Sequence, residues 1–346
     1  MNAVIALMAG LAACLLSAAT MAPLRRLALR WGLTDRPAGH KAHARPTAFL
    51  GGVGIALGTA LPTAAALGFS DLRVTAILLA ALAVAVLGLI DDIRSLPVAA
   101  RLIVESVAAG GVVASGVQIT LTGQWMDGPL TVMWIVVMTN SYNLLDNMDG
   151  ALGAVTAATA VFLVGAAFVA SQPALAILLS ALACASLGFL AHNWAPARMF
   201  MGDSGSLFIG FVLTCSTIAL ATGLTPGAIY AGLLLPAFVA VVDTGVVMVS
   251  RVLAGRPPLS GGTDHVTHRL QRTGLGSRAI AVSLATAAAM TGALSLTVTL
   301  GWFPPLETAI VAGMTAIILI GLLQGVDVYT PARPSGELSR ISQRRR

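Results

Sequence analysis

The run LRVTAILLAALAVAVLGLIDD, residues 72–92, has one basic residue near its start, a long apolar stretch and two adjacent carboxylates at its end. An apolar stretch of about 20 residues is the length that an α-helix needs to cross the hydrocarbon core of a bilayer. Similar stretches recur from one end of the chain to the other and alternate with short polar segments. The pattern predicts an all-α integral membrane protein.

Composition and charge support this fold class. Of the 346 residues 57% are hydrophobic and only 10% are charged, which is unusual for a soluble domain. The formal charge of +6 would suit a nucleic-acid partner, but no basic and aromatic interleaving accompanies it, so none is expected. The cysteines lie in apolar runs without metal-ligand spacing, which argues against a disulfide framework or a zinc site.

Eleven apolar segments predict eleven transmembrane helices. The first run has no basic residue before it and is followed by Arg25 and Arg26, which favours a membrane helix over a signal peptide. If the N-terminus lies outside, nineteen of the twenty Lys and Arg residues fall on the cytosolic side and only Arg73 lies outside, as the positive-inside rule requires. We expect one membrane domain, residues 1–325, and a basic cytosolic tail, residues 326–346. The segments lie near 3–23, 49–69, 72–90, 101–119, 129–145, 151–170, 174–191, 205–222, 226–250, 279–301 and 306–325.

With this topology, four polar segments that carry chemistry share one side of the membrane. The first ends in Asp91 and Asp92. Two adjacent carboxylates at a membrane boundary are costly to desolvate unless they share a proton or bind a cation. A plain charged helix end is the alternative.

The second segment, residues 140–150, holds Asn143, Asp146 and Asp149 at a spacing of three, which places them within about 120° on one helix face. Oxygen ligands of this kind suit Mg²⁺ or Mn²⁺. An EF-hand is excluded, because it would put Leu145 in the first ligand position. Helix capping and interfacial solvation are the structural alternative.

The third segment, residues 193–206, places Asp203 between glycines just before an apolar helix. Small residues let a ligand approach the backbone, and the free N–H groups of a helix N-terminus favour phosphate. Asp203 could equally be the N-cap of that helix.

The fourth segment carries His265, His268 and Arg269 in a long basic loop. Two histidines could bind zinc, but no cysteine or third histidine completes such a site, so diphosphate binding is favoured. Lys41 and His43 lie in the first inner loop, where a purely topological anchor is the alternative.

Taken together, these segments resemble the polyprenyl-phosphate N-acetylhexosamine-1-phosphate transferases. That family includes the enzymes that start O-antigen, enterobacterial common antigen and teichoic acid linkage and, more distantly, phospho-MurNAc-pentapeptide translocase. The resemblance covers about residues 30–272. Its motifs are Asp35-Arg-Pro37, Lys41-Ala-His43, residues 46–52, Asp91-Asp92, residues 140–150, residues 200–206, Asp243 with Arg251, and the His265 loop, in the family's order and spacing.

The resemblance implies a reaction and a location. A UDP-N-acetylhexosamine would give its sugar-1-phosphate to undecaprenyl phosphate or a similar polyprenyl phosphate, with release of UMP. The cofactor would be Mg²⁺, with Mn²⁺ as an alternative, and the active site would face the cytoplasm from the bacterial inner membrane. The O-antigen or exopolysaccharide branch is favoured, and a homodimer is left open.

The family's pattern also implies residue roles. Asn143 and Asp203 would hold the metal, and Asp91 and Asp92 would position or activate the lipid phosphate. Thr267 stands where the family's His-x-His-His has its middle histidine, which leaves the separate roles of His265 and His268 open. The substrate-binding residues would be Lys41, His43, Asn140, Asp146, Asp149, His265, His268 and Arg269.

Two other functions fit the sequence less well. Asp243 inside an apolar segment would suit a secondary transporter, but most carboxylates lie at helix ends on one side and no matching pair of broken helices appears. Asp146-x-x-Asp149-Gly150 begins the signature of CDP-alcohol phosphotransferases, but the rest of that signature is absent.

Overall fold

The computed structural model describes residues 2–35, 47–257 and 261–329. Within these residues the chain forms twelve helices and three short strands. They are α1 Asn2–Trp31, β1 Thr34–Asp35, β2 Thr47–Phe49, α2 Gly51–Leu67, α3 Leu72–Ile93, α4 Val98–Ala114, α5 Asp127–Leu145, α6 Ala151–Val169, α7 Pro173–Asn193, β3 Met199–Phe200, α8 Gly202–Ala221, α9 Pro226–Leu253, α10 Val266–Arg272, α11 Ser277–Thr299 and α12 Pro305–Gln324.

The helical membrane fold is confirmed. Each of the eleven predicted segments overlaps one of these helices, and eight helices (α1, α3, α6, α7, α8, α9, α11 and α12) are long and apolar enough to cross a membrane. The count of eleven spans and the orientation of the termini remain predictions. The two largest differences from the expected boundaries are that α1 continues through Pro23 to Trp31 and that α4 ends at Ala114, because Gly116 takes a φ of 87° and turns the chain.

Helix α8 is the centre of the bundle. It packs against α2, α3, α5 and α9, and nearly all its side chains are buried, including Leu207, Phe208 and Phe211. A helix that is apolar on all sides is stable only when other helices surround it. By contrast, α1 and α12 expose large apolar side chains such as Leu7 and Ile317, which is the surface expected to face lipid. The polar start of α8 therefore lies among the other helices of the bundle, with Asp203 still partly exposed.

A three-stranded sheet joins segments that are distant in sequence. Its order is β1-β2-β3, with β1 and β2 antiparallel and β2 and β3 parallel. Ala48 is opposite Met199, so the segment that precedes α2 lies beside the one that precedes α8. We call this end of the bundle, with the last turns of α3 and α5 and the first turn of α8, the site end.

Two glycines let α3 and α8 meet closely at the site end. A Cβ atom on Gly88 would lie 2.5 Å from the carbonyl oxygen of Asp203, which is shorter than any real contact. Gly202 has a φ of 72°, and a Cβ atom there would lie 2.5 Å from a carboxylate oxygen of Asp92. Small residues of this kind are what permits close helix packing in membranes. The close contact brings the end of α3 onto the start of α8.

Candidate active site

Asp92 caps the first turn of α8 from a different helix. Its carboxylate accepts hydrogen bonds from the backbone N–H groups of Asp203, at 2.9 Å, and Ser204, at 3.2 Å. These are donors that a helix start leaves without intrahelical partners, and a negative charge is favourable there. Asp203 itself lies in the first turn of α8 and is not the N-cap residue, which is Met201. The N-cap alternative for Asp203 was therefore wrong.

Asp91 and Asp203 are bridged by Arg101, from the first turn of α4. The Nη1 atom of Arg101 lies 2.8 Å from Oδ2 of Asp91 and 3.3 Å from Oδ2 of Asp203. The other oxygen of Asp91 accepts the backbone N–H of Leu96, which closes the turn between α3 and α4. Arg101 did not stand out in the sequence, because its charge was interpreted only as a signal of membrane orientation.

Asn143 joins the end of α5 to the start of α8. Its Nδ2 atom donates to Oδ1 of Asp203, at 2.9 Å, and to Oγ of Ser206, at 2.8 Å. These two bonds use the amide hydrogens, so the Oδ1 atom of Asn143 has no partner within the described residues. Asn143 and Asp203, the two predicted metal ligands, are thus in direct contact.

Asp146 and Asp149 lie beyond the helix that carries Asn143. Helix α5 ends at Leu145, so the single helix face expected from the spacing of three does not exist for these two residues. The turn nevertheless keeps Asp146 near the cluster. Burial, followed by the negative charges of Asp203, Asp92 and Asp149, raises the pKa of Asp146 to about 8. Within the described chain, no donor makes a hydrogen bond to its carboxylate.

Asp149 has a structural contact. Its Oδ2 atom accepts the backbone N–H of Ala197 at 2.9 Å. Beside it, Asn193 accepts the N–H of Gly150 and donates to the carbonyl oxygen of Met199. These bonds attach the turn after α5 to the loop before α8, so Asp149 supports the position of the second and third polar segments.

Asn140 lies about one turn before Asn143 and points towards α4. Its Nδ2 atom donates to the buried carboxylate of Glu105 at 2.5 Å and to the carbonyl oxygen of Val136 at 2.9 Å. The predicted substrate-binding residue therefore links α5 to α4. The sequence did not single out Glu105, because a lone carboxylate within an apolar run carries no recognisable spacing.

The donor set of this region fits Mg²⁺. We define the acidic cluster as Asp91, Asp92, Asp146 and Asp203 with Asn143, and Arg101 is the cation that contacts it. Its free ligand atoms are the amide oxygen of Asn143 and the carboxylate of Asp146, which has no hydrogen-bond donor in the described chain. Among the described residues, no three His, Cys, Asp or Glu side chains form a complete metal-binding group. Mg²⁺ commonly takes one or two protein ligands and completes its shell with water and substrate phosphate.

His265 is held by Asp243. Its Nδ1 atom lies 2.8 Å from Oδ2 of Asp243, and the other carboxylate oxygen accepts the backbone N–H of Val266 at 2.8 Å. Asp243, which had suggested a transporter, therefore has a structural function: it fixes the first residues of α10. This short helix lies in a segment for which the sequence predicted only a loop.

His268 is the more accessible histidine. It lines a cavity of about 270 Å³ with Thr263, Gln271 and Arg272, and its ring centroid lies 5.7 Å from that of His265. Burial and the nearby His265 lower the pKa of His268, which favours its neutral form. A neutral imidazole can still donate a hydrogen bond to a phosphate oxygen.

Arg269 is not placed as expected for a diphosphate ligand. The side chain is buried, and its five N–H donors are matched by five acceptors. Because all five donors of Arg269 already have acceptors within the protein, the side chain has a structural role and none of its N–H groups is left for a substrate phosphate. The acceptors are the carbonyl oxygens of Asp264, Leu323 and Val326 and the side chains of Ser250 and Gln324.

Thr267 connects α10 to the turn after α5. Its hydroxyl donates to Oδ1 of Asn147, and Nδ2 of Asn147 donates to the carbonyl oxygen of Leu144 at 2.7 Å. The residue that departs from the family pattern thus joins the histidines to the segment that carries Asp146. Lys41 and His43 lie outside the described residues, so their predicted roles remain predictions.

A second cavity, of about 500 Å³, lies at the opposite end of the bundle. Its lining includes Asp71, Arg73, Ser115, Ser171 and Gln172 at the ends of α3, α4 and α7. None of the predicted site residues lines it.

Several known proteins with similar sequences are named as transferases. A family model described as glycosyl transferase family 4 matches residues 74–221, which include the acidic cluster and end before α10. A Streptomyces coelicolor protein named as a glycosyltransferase is 39% identical over 92% of this chain and 76% of its own.

Two further relatives have more specific names. A Bacillus subtilis protein named as a probable undecaprenyl-phosphate N-acetylglucosaminyl 1-phosphate transferase is 31% identical over 74% of each chain. A decaprenyl-phosphate N-acetylglucosaminephosphotransferase of Mycolicibacterium smegmatis is 30% identical over 90% of this chain and 86% of its own. A secondary transporter is not supported.

Proposed function

This chain belongs to glycosyl transferase family 4, and from that premise we propose that it transfers N-acetylhexosamine-1-phosphate from a UDP-sugar to a polyprenyl phosphate. An oxygen of the lipid phosphate forms a bond to the sugar-bearing phosphorus. The bond from that phosphorus to the bridging oxygen breaks, and UMP leaves. We place the site on the cytoplasmic face of a bacterial membrane, where UDP-sugars are available.

One observation carries the proposal: the acidic cluster joins α3, α5 and α8 through direct contacts. Asp92 accepts from the N–H of Asp203, and Asn143 donates to the carboxylate of Asp203. Four carboxylates near one arginine leave a net negative charge that a divalent cation would neutralise. Two anionic phosphates can approach such a site only if their charge is also compensated.

Asn143 and Asp203 are the residues that we expect to hold Mg²⁺, with Asp146 beside them. When bound, the cation would screen the repulsion between the two substrates and stabilise charge at the attacked phosphorus. Arg101 lies 3.3 Å from Asp203 and is a second positive group for the phosphates.

Asp92 is better suited to positioning than to proton transfer. Both its oxygens accept backbone N–H groups of the first turn of α8. A phosphate monoester has a second pKa near ~6 and is largely ionised at neutral pH, so the attacking oxygen scarcely needs a base. We propose that Asp92 fixes Asp203 in place and that Asp91 does the same for Arg101.

The His265–His268 pair is the proposed contact for the nucleotide diphosphate. Asp243 orients His265, and His268 faces a cavity beside Arg272. The hydrogen bond from Thr267 to Asn147 brings this region next to the acidic cluster. The diphosphate would then lie between the histidines and the metal ligands.

The test is a transfer assay with purified protein, Mg²⁺, undecaprenyl phosphate and a panel of UDP-sugars. Release of UMP and a lipid-linked sugar diphosphate are both followed. We expect UMP only when both substrates are present, most strongly with one UDP-N-acetylhexosamine. Glu307→Gln, at an exposed position in the first turn of α12, is the control and should act as wild type.

Absence of UMP and of lipid product with every N-acetylhexosamine would contradict the proposal. UMP release that does not need the lipid phosphate would indicate hydrolysis and not transfer.

A further inference from the structure

The last residue of α12, Gln324, and the five residues after it lie against α10 and the end of α9; we name residues 324–329 the C-terminal clasp. Arg269 donates from Nη1 to the carbonyl oxygen of Val326 at 2.5 Å, and from Nη2 to the side chain of Gln324 at 3.2 Å. Arg272 donates to the carbonyl oxygen of Val328 at 3.1 Å. Two arginines of α10 thus bind the clasp.

The clasp also reaches the residue that precedes the histidines. The hydroxyl of Tyr329 donates to Oδ2 of Asp264 at 3.0 Å, and the same oxygen accepts Nε of Arg251 at 2.9 Å. The guanidinium of Arg256 lies 4.4 Å from the ring centroid of Tyr329, within the range of a cation–π contact. Tyr329 therefore completes a network that joins three parts of the chain.

Charge makes this network strong. Burial acts to raise the pKa of Asp264, but the hydrogen bond and charge of Arg251, with the hydroxyl of Tyr329, outweigh it and lower that pKa. Asp264 is therefore ionised, and hydrogen bonds to a buried charge are stronger than those between neutral groups.

Asp264 directly precedes His265, the N-cap residue of α10. A shift of Asp264 would move the start of α10 and, with it, His268 one turn further on. His268 lines the cavity together with Arg272, which is itself bound to the clasp. The position of both histidines thus depends on residues that follow the last membrane helix.

We infer that the C-terminal clasp positions His265 and His268 for the nucleotide diphosphate, with Tyr329 as a positioning residue that acts through Asp264. This inference rests on the proposed function of the histidine pair. The contacts of the clasp described above all go to α10 and the segment that precedes it, so the clasp governs nucleotide binding more than the chemical step. Its loss should raise KM for the UDP-sugar and leave kcat nearly unchanged.

The experiment compares Tyr329→Phe with Tyr230→Phe in full-length protein, using the UDP-N-acetylhexosamine that wild type turns over. Tyr230 is an exposed residue of α9 near the opposite end. Loss of the Tyr329 hydroxyl should raise KM about five- to tenfold with kcat within about twofold, since one hydrogen bond to a charged group is lost. Amide hydrogen exchange over residues 262–272 should be faster in Tyr329→Phe and unchanged in Tyr230→Phe.

Two truncations locate the effect. A chain that ends after residue 329 keeps the clasp and should have the wild-type KM, whereas one that ends after residue 323 should show at least the KM rise of Tyr329→Phe. An unchanged KM in Tyr329→Phe, an equal rise in Tyr230→Phe, or a loss confined to kcat would overturn the inference. If wild type released no UMP, the proposed function would fail instead, and the exchange measurement alone would decide whether the clasp holds α10.

Discussion

The acidic cluster and the histidine region differ in how their charges are balanced. In the histidine region each buried carboxylate has its own basic partner: Asp243 contacts His265, and Asp264 contacts Arg251. In the acidic cluster, four carboxylates lie near Arg101 alone among the basic side chains whose contacts the structure describes.

This difference suggests two tasks. Buried carboxylates that already have hydrogen-bonded partners need no added ion. A region with excess negative charge gains stability when a cation arrives. We therefore expect substitutions in the acidic cluster to act mainly on catalysis and metal binding, and substitutions of paired groups in the histidine region to act mainly on stability and substrate affinity.

The largest effect is expected for Asp203→Asn. This change keeps the shape of the side chain and removes a charge at the predicted metal site, so kcat/KM should fall about a thousandfold. The measurement is UMP release, with Glu307→Gln as the control. A fall of less than tenfold would show that the negative charge of Asp203 is dispensable. It would contradict the expectation that substitutions in the acidic cluster act mainly on catalysis.

Next is Arg251→Met, in the histidine region. It leaves Asp264 buried without its cation, and breaking a buried pair in this way costs about 3 kcal/mol or more of unfolding free energy. Thermal unfolding in detergent should show a clearly lower midpoint. The double variant Arg251→Met with Asp264→Leu should recover part of the loss, and no recovery would argue that the pairing is not what matters.

A third test uses pH and Asp146→Asn. Because the pKa of Asp146 is raised to about 8 in the folded protein, the folded state holds this proton more tightly than the unfolded chain does. Wild type without divalent cations should therefore lose stability as pH rises from about 4 to 8. Asp146→Asn has no proton to lose at this position, so it should not show this loss of stability.

Measured in EDTA, the midpoint of thermal unfolding of Asp146→Asn should exceed that of wild type by an amount that grows between about pH 4 and 8 and then levels off, roughly 2–4 °C for each kcal/mol. Added Mg²⁺ should narrow the gap by stabilising wild type. A gap that is constant with pH would mean that Asp146 does not carry the excess charge.

The smallest effect is expected for Thr267→Val, at the junction of the two regions. It removes the hydroxyl that donates to Asn147 and keeps the side chain's volume, so KM for the UDP-sugar should rise about threefold. Thr273→Val is a matched control, because its hydroxyl bonds only within its own turn, to Leu270. An equal rise in KM in both variants would contradict the proposed link between the acidic cluster and the histidine region.

The sequence predicted the helices well, because the length of an apolar run reports directly on its ability to cross a membrane. The polar segments that it grouped together do meet at the site end. The sequence could not predict which backbone groups meet. That Asp92 caps a helix more than a hundred residues away depends on the close contact at Gly88, which spacing along the chain does not encode.

Other misses have similar causes. Arg101 and Arg269 were each interpreted from their charge alone, yet Arg101 bridges two carboxylates, and the donors of Arg269 are taken up by three backbone carbonyls and two side chains. Helix α10 has seven residues, too few for a periodic signal, and its start depends on Asp243 from another helix. These features arise from tertiary contacts.

The most direct test of the contrast between the two regions is to measure Mn²⁺ binding by electron paramagnetic resonance in the presence of UDP-sugar. The proteins compared are wild type, Asp203→Asn and His268→Ala. If the acidic cluster holds the cation, wild type and His268→Ala should each bind one Mn²⁺ per chain, and Asp203→Asn should lose it or bind it far more weakly. Retention of full Mn²⁺ binding in Asp203→Asn, or its loss only in His268→Ala, would contradict the assignment of the metal site to the acidic cluster.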